Sequence, residues 1–266
     1  YQRSLRTVET QDTLSHLASK NLLPKYGFPV DVVELNLRGS GNPRADKLDL
    51  SRDLALAISD YAPGNEVVAG KQRWLSTGLA RRPDHSWPTY GWAVCAECGA
   101  FRRAIVNRPP ECHVCGSSKL APGAGTFVVP IYGFLGRSVA PAGESRPPRT
   151  GFAVPYFTTD DVAEFQPVAM PSGSTSVLSR VSRQGRITLI NSNLGAGFSV
   201  CEWCGWAGLR PQKRHEDPRI SGRTCTGPLR TVHLGHEFLT DVLELRFEEL
   251  FDLETANAAL FALIES

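Results

Sequence analysis

The stretch Cys95–Gly116 reads CAECGAFRRAIVNRPPECHVCG, with one CxxC pair at each end. Two cysteines separated by two residues reach one ion when the chain turns tightly between them. A glycine directly after the second cysteine permits that turn by accepting left-handed dihedrals. Both pairs have it, as Gly99 and Gly116. The thirteen residues between Cys98 and Cys112 are enough for a short hairpin that brings the two turns together. Cys95, Cys98, Cys112 and Cys115 therefore read as the closed four-cysteine zinc site of a ribbon. A redox CxxC would need a βαβ setting, and none is legible.

Working outward, six of the seven cysteines fall into CxxC pairs, the third being Cys201/Cys204, and Cys225 remains over. A disulfide scaffold would be shorter and would scatter its cysteines. Paired thiols in a chain without a secretion signal point to metal in a reducing cytoplasm. The second constellation, CEWCGWAGLRPQKRHEDPRISGRTC, offers Cys201, Cys204 and Cys225 as three ligands. For the fourth, His215 and His233 both remain open on spacing, with His215 favoured because it lies between the pair and Cys225.

The bulk composition excludes several classes. The chain has 266 residues, enough for one large or two ordinary domains, and a net charge of +2. No apolar run approaches the roughly 18 residues of a membrane span, and no signal or transit segment is visible. The first residue is Tyr1, which reads as a processed or cut terminus. The balanced charge leaves only local surfaces for nucleic acid. The 24 glycines and 19 prolines indicate many turns and short strands.

Periodicity predicts a helix over residues 10–23, a strand over 28–35, and a second helix carrying Leu50, Leu54, Ile58 and Tyr61 on one side. It predicts a hairpin turning at Ala69-Gly70, and over the apolar run 126–136 an edge strand or a bulge at Pro130. Residues 144–151 read as a Pro/Arg linker, and GFAVPYFTT as a short strand. Alternation over 176–192 predicts a hairpin turning at Gln184-Gly185. GFSV and LTDVLELRF are strands, and the last residues, ETANAALFALIES, a helix. The sum is an α+β, β-rich fold with zinc-ribbon-like modules and a few helices at the two ends. Its expected parts are 1–90, a ribbon over 91–125, a β-rich part over 126–200, a second zinc module over 201–247, and the start of a helical part over 248–266.

The segment HLGHEFLTD places His233, His236, Glu237 and Asp241 together. Its order is H-x-x-H-E on a strand-like stretch, whereas zinc proteases need H-E-x-x-H or H-x-x-E-H on a helix. Packing or an interface is the expected role. AGKQR lacks the glycine frame and the Ser/Thr of a phosphate-binding loop, and no G-x-S-x-G elbow occurs. The chain therefore reads as non-catalytic.

Cations gather near the metal turns: Arg102 and Arg103 in the ribbon, and Arg210, Lys213, Arg214, Arg219 and Arg223 around the second constellation. Phe101, Trp203 and Trp206 stand among them. Such turns contact phosphates and stacked bases. They also serve as protein-binding or simply solvated faces, and these readings stay open at this point.

Four blocks, LPKYGFPVDVVEL (23–35), LSRDLALAISDYAPGNEVV (50–68), CEWCG…HEDP…C (201–225) and LGHEFLTDVLEL (234–245), together resemble the DrmB family of the DISARM anti-phage systems. More broadly they resemble proteins sharing the zinc-binding domain of the mitomycin-repair helicase. The resemblance implies a partner of an SF2-type DNA helicase in bacterial defence against phage DNA. Single-stranded or forked DNA is the nucleic acid expected as a further partner. It also agrees with Cys201, Cys204, His215 and Cys225 as one ligand set. The four-cysteine cluster that names the family would lie downstream of AALFALIES, so the chain reads as part of a longer protein. An accessory region of a single-chain repair helicase and a protein-only zinc scaffold are the alternatives.

Overall fold

The structure is a computed structural model that describes residues 31–105, 111–141, 151–159, 164–168 and 176–247, with Thr255, Ala258 and Phe261 beyond them. The helix expected over 10–23 and the linker at 144–150 lie outside the described residues. So does most of the last helix, of which Thr255, Ala258 and Phe261 are helical. The chain divides into two units. One holds residues up to Tyr156 together with Thr188–Glu237, and the other holds Phe157–Ile187 and Phe238–Ser266.

The first unit is built around β1 (Val32–Asn36), β2 (Ser51–Asp53), β3 (Glu66–Ala69), β4 (Gln72–Leu79) and β8 (Phe134–Pro141). These lie in the order β2-β1-β8-β4-β3. Strands β1 and β8 run parallel, with Leu35 opposite Phe134. The other pairs are antiparallel. Helix α1 (Leu54–Asp60) buries Leu54, Ala57 and Ile58. These join Leu35, Trp74, Leu79, Phe134, Phe198 and Leu234 in one core.

The second helix begins later than its apolar pattern suggests. Asp53 accepts a hydrogen bond from the amide of Ala55 at 2.8 Å and so caps the first turn. Residues 51–53 pair with β1 instead of extending the helix. Leu50 still packs with the helix face, and its carbonyl accepts from the Tyr61 hydroxyl at 2.9 Å. The first hairpin turns one residue later than expected. Gly70 and Lys71 both have positive φ, at 58° and 59°, the two-residue turn whose twist matches paired strands.

A second set of strands carries the metal turns. These are β5 (Thr89–Val94), β6 (Phe101–Ala104), β7 (Gly125–Val128), β12 (Phe198–Cys201), β13 (Ala207–Gly208) and the first part of β16 (Leu229–Phe247). The expected edge strand over 126–136 is corrected. Strand β7 lies between β16 and β5 and stops before Pro130. The amide of Gly133 then donates to the Pro130 carbonyl at 2.9 Å, and the chain leaves for the other sheet as β8. Proline has no amide to give a central strand, so it ends one here rather than marking an edge.

The short strand expected at GFAVPYFTT is β9 (Ala153–Thr159). In the second unit, β10 (Gln166–Pro167) pairs antiparallel with β11 (Val177–Asn191). The hairpin expected at Gln184-Gly185 is absent: β11 is one continuous strand of 15 residues. Gly185 is not among the positive-φ glycines. A Cβ there would come within 2.5 Å of Val242 and 3.1 Å of Phe157. It is glycine because neighbours approach closely, not because the chain turns. Phe165 lies between the Arg180 and Arg246 guanidiniums, 4.6 and 3.9 Å from its ring centre.

Candidate metal centres

Three turns of the chain share one hydrogen-bond pattern. In each, the amide of the glycine after the second cysteine donates to the carbonyl of the first. The distances are 3.0 Å for Gly99 to Cys95, 2.8 Å for Gly116 to Cys112 and 3.1 Å for Gly205 to Cys201. The three glycines have φ of 71°, 71° and 79°. The sequence reading of CxxCG as a metal turn therefore holds at all three places.

The first turn is the tip of the antiparallel β5–β6 hairpin, where Val94 faces Phe101. This corrects the expected hairpin between the two pairs: the hairpin holds the first pair at its end. The Cys112–Cys115 turn is brought over it by short backbone links. Ala96 donates to Lys119 at 3.2 Å, and Ala121 donates to Val94 at 2.8 Å. Cys95 Sγ then lies 3.6 Å from Cys115 Sγ, and Cys98 Sγ lies 3.6 Å from Cys112 Sγ.

The third turn joins β12 to β13. Its remaining ligands come from β14 (His215–Glu216) and β15 (Thr224–Cys225), a two-stranded piece that sets His215 directly opposite Cys225. Cys201 Sγ lies 3.8 Å from Cys225 Sγ, and Cys204 Sγ lies 3.3 Å from His215 Nε2. The other imidazole nitrogen, Nδ1, is 2.9 Å from the Gln212 carbonyl. A carbonyl only accepts, so Nδ1 carries the proton and Nε2 presents its lone pair to the thiols. Trp206 stacks on the same ring at 4.7 Å. The amides of Trp206 and Gly227 each donate to a ligand sulfur, Cys204 and Cys225, at 3.4 Å.

These spacings decide the chemistry. A tetrahedron with zinc–sulfur bonds near 2.3 Å separates its sulfurs by about 3.8 Å, and a nitrogen in one corner brings that edge to about 3.5 Å. In each set all four ligand atoms lie within 4.8 Å of one another. A disulfide would require about 2.05 Å, and all seven thiols are free. The two sets fit two structural zinc sites, each closed by four protein ligands. Their surroundings differ. Cys98 and Cys115 are exposed, whereas Cys201, Cys204 and His215 are buried. The amide of Cys115, helped by that of Val114, pulls the Cys112 thiol down to about 6. Burial pushes the Cys204 thiol up, so the bound cation itself has to hold that sulfur as thiolate.

His233, the other histidine open to the second site on spacing, is elsewhere. Its Nδ1 accepts from Trp92 Nε1 at 2.9 Å, and burial lowers its pKa. The rest of the H-x-x-H-E segment also disperses. His236 Nε2 is 3.8 Å from Asp31, and Glu237 accepts from Arg103 at 2.9 Å and Thr188 at 3.0 Å. Among the described residues, the two cysteine-rich sets are the groups that gather ligands for an ion.

The cations singled out by sequence fall in different settings. Arg102 is 4% exposed within β6. Arg103 pairs with Glu237 and lies over Tyr90, 4.4 Å from its ring centre. Arg219 holds Asp217 through two bonds of 2.9 and 2.8 Å, which keep that carboxyl below its usual range. Arg210, Lys213, Arg214 and Arg223 are exposed. Trp206, noted in the sequence as an aromatic beside Cys204, stacks on the ligand histidine. Gln212 and Asp217 did not stand out in the sequence, because a glutamine three residues before a histidine and an aspartate two residues before an arginine are too common to select alone.

No family model matches the chain, and no solved structure matches it. Among curated proteins it is 26% identical over 298 aligned positions to the Druantia protein DruE of Escherichia coli (strain UMEA 4076-1). The alignment covers 96% of this chain and 16% of DruE. This similarity supports a bacterial anti-phage system. It does not support the DrmB assignment. No helix among the described residues is long and apolar enough to cross a membrane.

Proposed function

We propose that this chain is a zinc-stapled, non-catalytic, DNA-handling component of a bacterial anti-phage assembly, working in the cytoplasm beside an SF2-type helicase. The observation that carries the reading is the similarity to DruE along nearly the whole chain, with two closed ligand sets at its centre. Four protein ligands leave no open coordination position, which favours a structural over a catalytic metal. The exposed Arg210, Lys213, Arg214 and Arg223 supply the local positive surface that the balanced net charge does not.

The test is a mobility shift of zinc-loaded protein on single-stranded and forked DNA, alone and with a purified SF2-type helicase of a bacterial anti-phage system. Binding that weakens with salt, and a complex with the helicase, are the expected results. Absence of both at low salt overturns the reading. The great length of DruE beside this chain favours a second reading, in which the fold is one region of a larger polypeptide that also carries the motor. A phosphate-binding loop in the full open reading frame would decide for it.

A further inference from the structure

The tip of the third metal turn carries Trp203, which is 64% exposed. Its indole rests on Gly227, where a Cβ would come within 2.8 Å of the ring. Among the described residues no aromatic ring or guanidinium covers it. The ring stacked on the ligand His215 is Trp206, whereas Trp203 turns most of its surface to solvent.

One flank of this tip is basic in a way the sequence did not suggest. Arg81 lies against the turn, its Cγ 3.4 Å from the position of a Cβ on Gly205. The guanidiniums of Arg81 and Arg230 both lie over the ring of Trp87, at 5.1 and 5.8 Å. Arg82 lies over Tyr132 at 5.3 Å and forms no ion pair among the described residues. Against these cations stand Glu202, 3.7 Å from Arg230, and Asp84, exposed in the same loop. Two like charges held on one indole concentrate positive potential that an incoming phosphate relieves.

We infer that this face, Trp203 with Arg81, Arg82 and Arg230, binds a single strand of nucleic acid, one base stacking on Trp203 and the backbone crossing the arginines. The inference rests on the DNA-handling reading above and names its surface. A duplex keeps its bases stacked on each other, so an isolated exposed indole selects for a single strand. A guanidinium that lies over an aromatic ring can still offer its N–H donors to phosphate oxygens.

The experiment is fluorescence anisotropy of the zinc-loaded chain with a labelled oligothymidylate of about 20 nucleotides, over a salt series. The same sequence as RNA and a blunt duplex are parallel arms. Trp203→Ala is expected to weaken single-strand binding roughly 5- to 150-fold, and Trp203→Phe to restore most of it. Arg82→Ala is expected to flatten the salt slope by about 0.7. Lys213→Ala/Arg214→Ala, in the exposed loop before His215, is the comparison, and a larger loss there than at Trp203 and Arg82 overturns the inference. Each variant is checked for two zinc ions and an unchanged melting temperature, which the exposure of Trp203 and Arg82 leads us to expect. If wild type binds no nucleic acid at low salt, the DNA-handling part of the reading above fails and this inference with it. If wild type binds but Trp203→Ala and Arg82→Ala are unchanged, the face is wrong and the reading survives. Tighter binding of duplex than single strand also overturns the inference. Equal binding of the RNA, lost likewise in Trp203→Ala, supports the surface, since stacking on an indole does not read the sugar.

Discussion

Replacing Gly205 with alanine separates the third metal turn from the other two. All three turn glycines have left-handed φ, which costs an L-residue about 1–2 kcal/mol. At Gly99 and Gly116 a Cβ meets nothing within 4 Å, so that cost is the whole effect. At Gly205 the Cβ would sit 2.2 Å from the Leu79 carbonyl oxygen, backbone at the buried end of β4. Leu79 is fully buried, and its amide donates to the Gly205 carbonyl at 2.8 Å. Relief has to move the turn away from β4. That breaks this bond, worth about 0.5–1.5 kcal/mol net, and adds overpacking of about 1–3 kcal/mol. The expected loss is therefore about 3–6 kcal/mol for Gly205→Ala against about 1–2 kcal/mol for Gly99→Ala and Gly116→Ala. At about 2–4 °C per kcal/mol, the melting temperatures should fall by roughly 6–24 °C and 2–8 °C. Thermal unfolding of the three zinc-loaded variants, followed by near-UV circular dichroism, reads the difference. Equal losses at Gly99 and Gly205 would refute the docking of the third turn against β4.

Three further outcomes follow from the geometry. His215→Ala should leave one zinc per chain, whereas His215→Cys should keep two, because a fourth thiolate completes the tetrahedron; elemental analysis of each variant checks this. A colorimetric chelator should release zinc in two phases of one equivalent each. The fast phase should come from the site of Cys95, Cys98, Cys112 and Cys115, two of whose sulfurs, on Cys98 and Cys115, belong to exposed residues, and Cys115→Ser should abolish it. His233 is buried and its pKa is lowered, so the unfolded imidazole takes a proton near pH 6.5 while the folded one resists. Its contribution to stability is full above that pH and is lost as the pH falls towards the lowered folded value. Melting temperatures between pH 8 and pH 5.5 should decline more steeply in wild type than in His233→Gln.

Much of the metal chemistry was legible because it is local. A CxxCG turn needs only five residues, and the glycine's dihedral is fixed by the turn itself. The choice of His215 over His233 was harder, because it depends on which histidine β-pairing sets opposite Cys225. Spacing favoured the right one, but its orientation through the Gln212 carbonyl had no sequence signal. Gly185 shows the opposite case. Its sequence neighbourhood imitates a hairpin turn, and only the approach of Val242, distant in the chain, explains the glycine. Pro130 was visible as punctuation, yet which elements it separates depends on strand order, a long-range property. The basic residues divided for the same reason. Arg103 and Arg219 are absorbed by Glu237 and Asp217, while Trp87 collects Arg81 from its own loop and Arg230 from a remote strand.

Two ions hold together loops that have little core of their own. X-ray absorption at the zinc edge of the purified chain, with elemental analysis of the same sample, tests this most directly. The expected result is two zinc ions per chain and an average shell of three to four sulfurs at about 2.3 Å with a minority of nitrogen near 2.0 Å. A chain that folds with no bound metal, or whose sulfurs are found as disulfides, would contradict it.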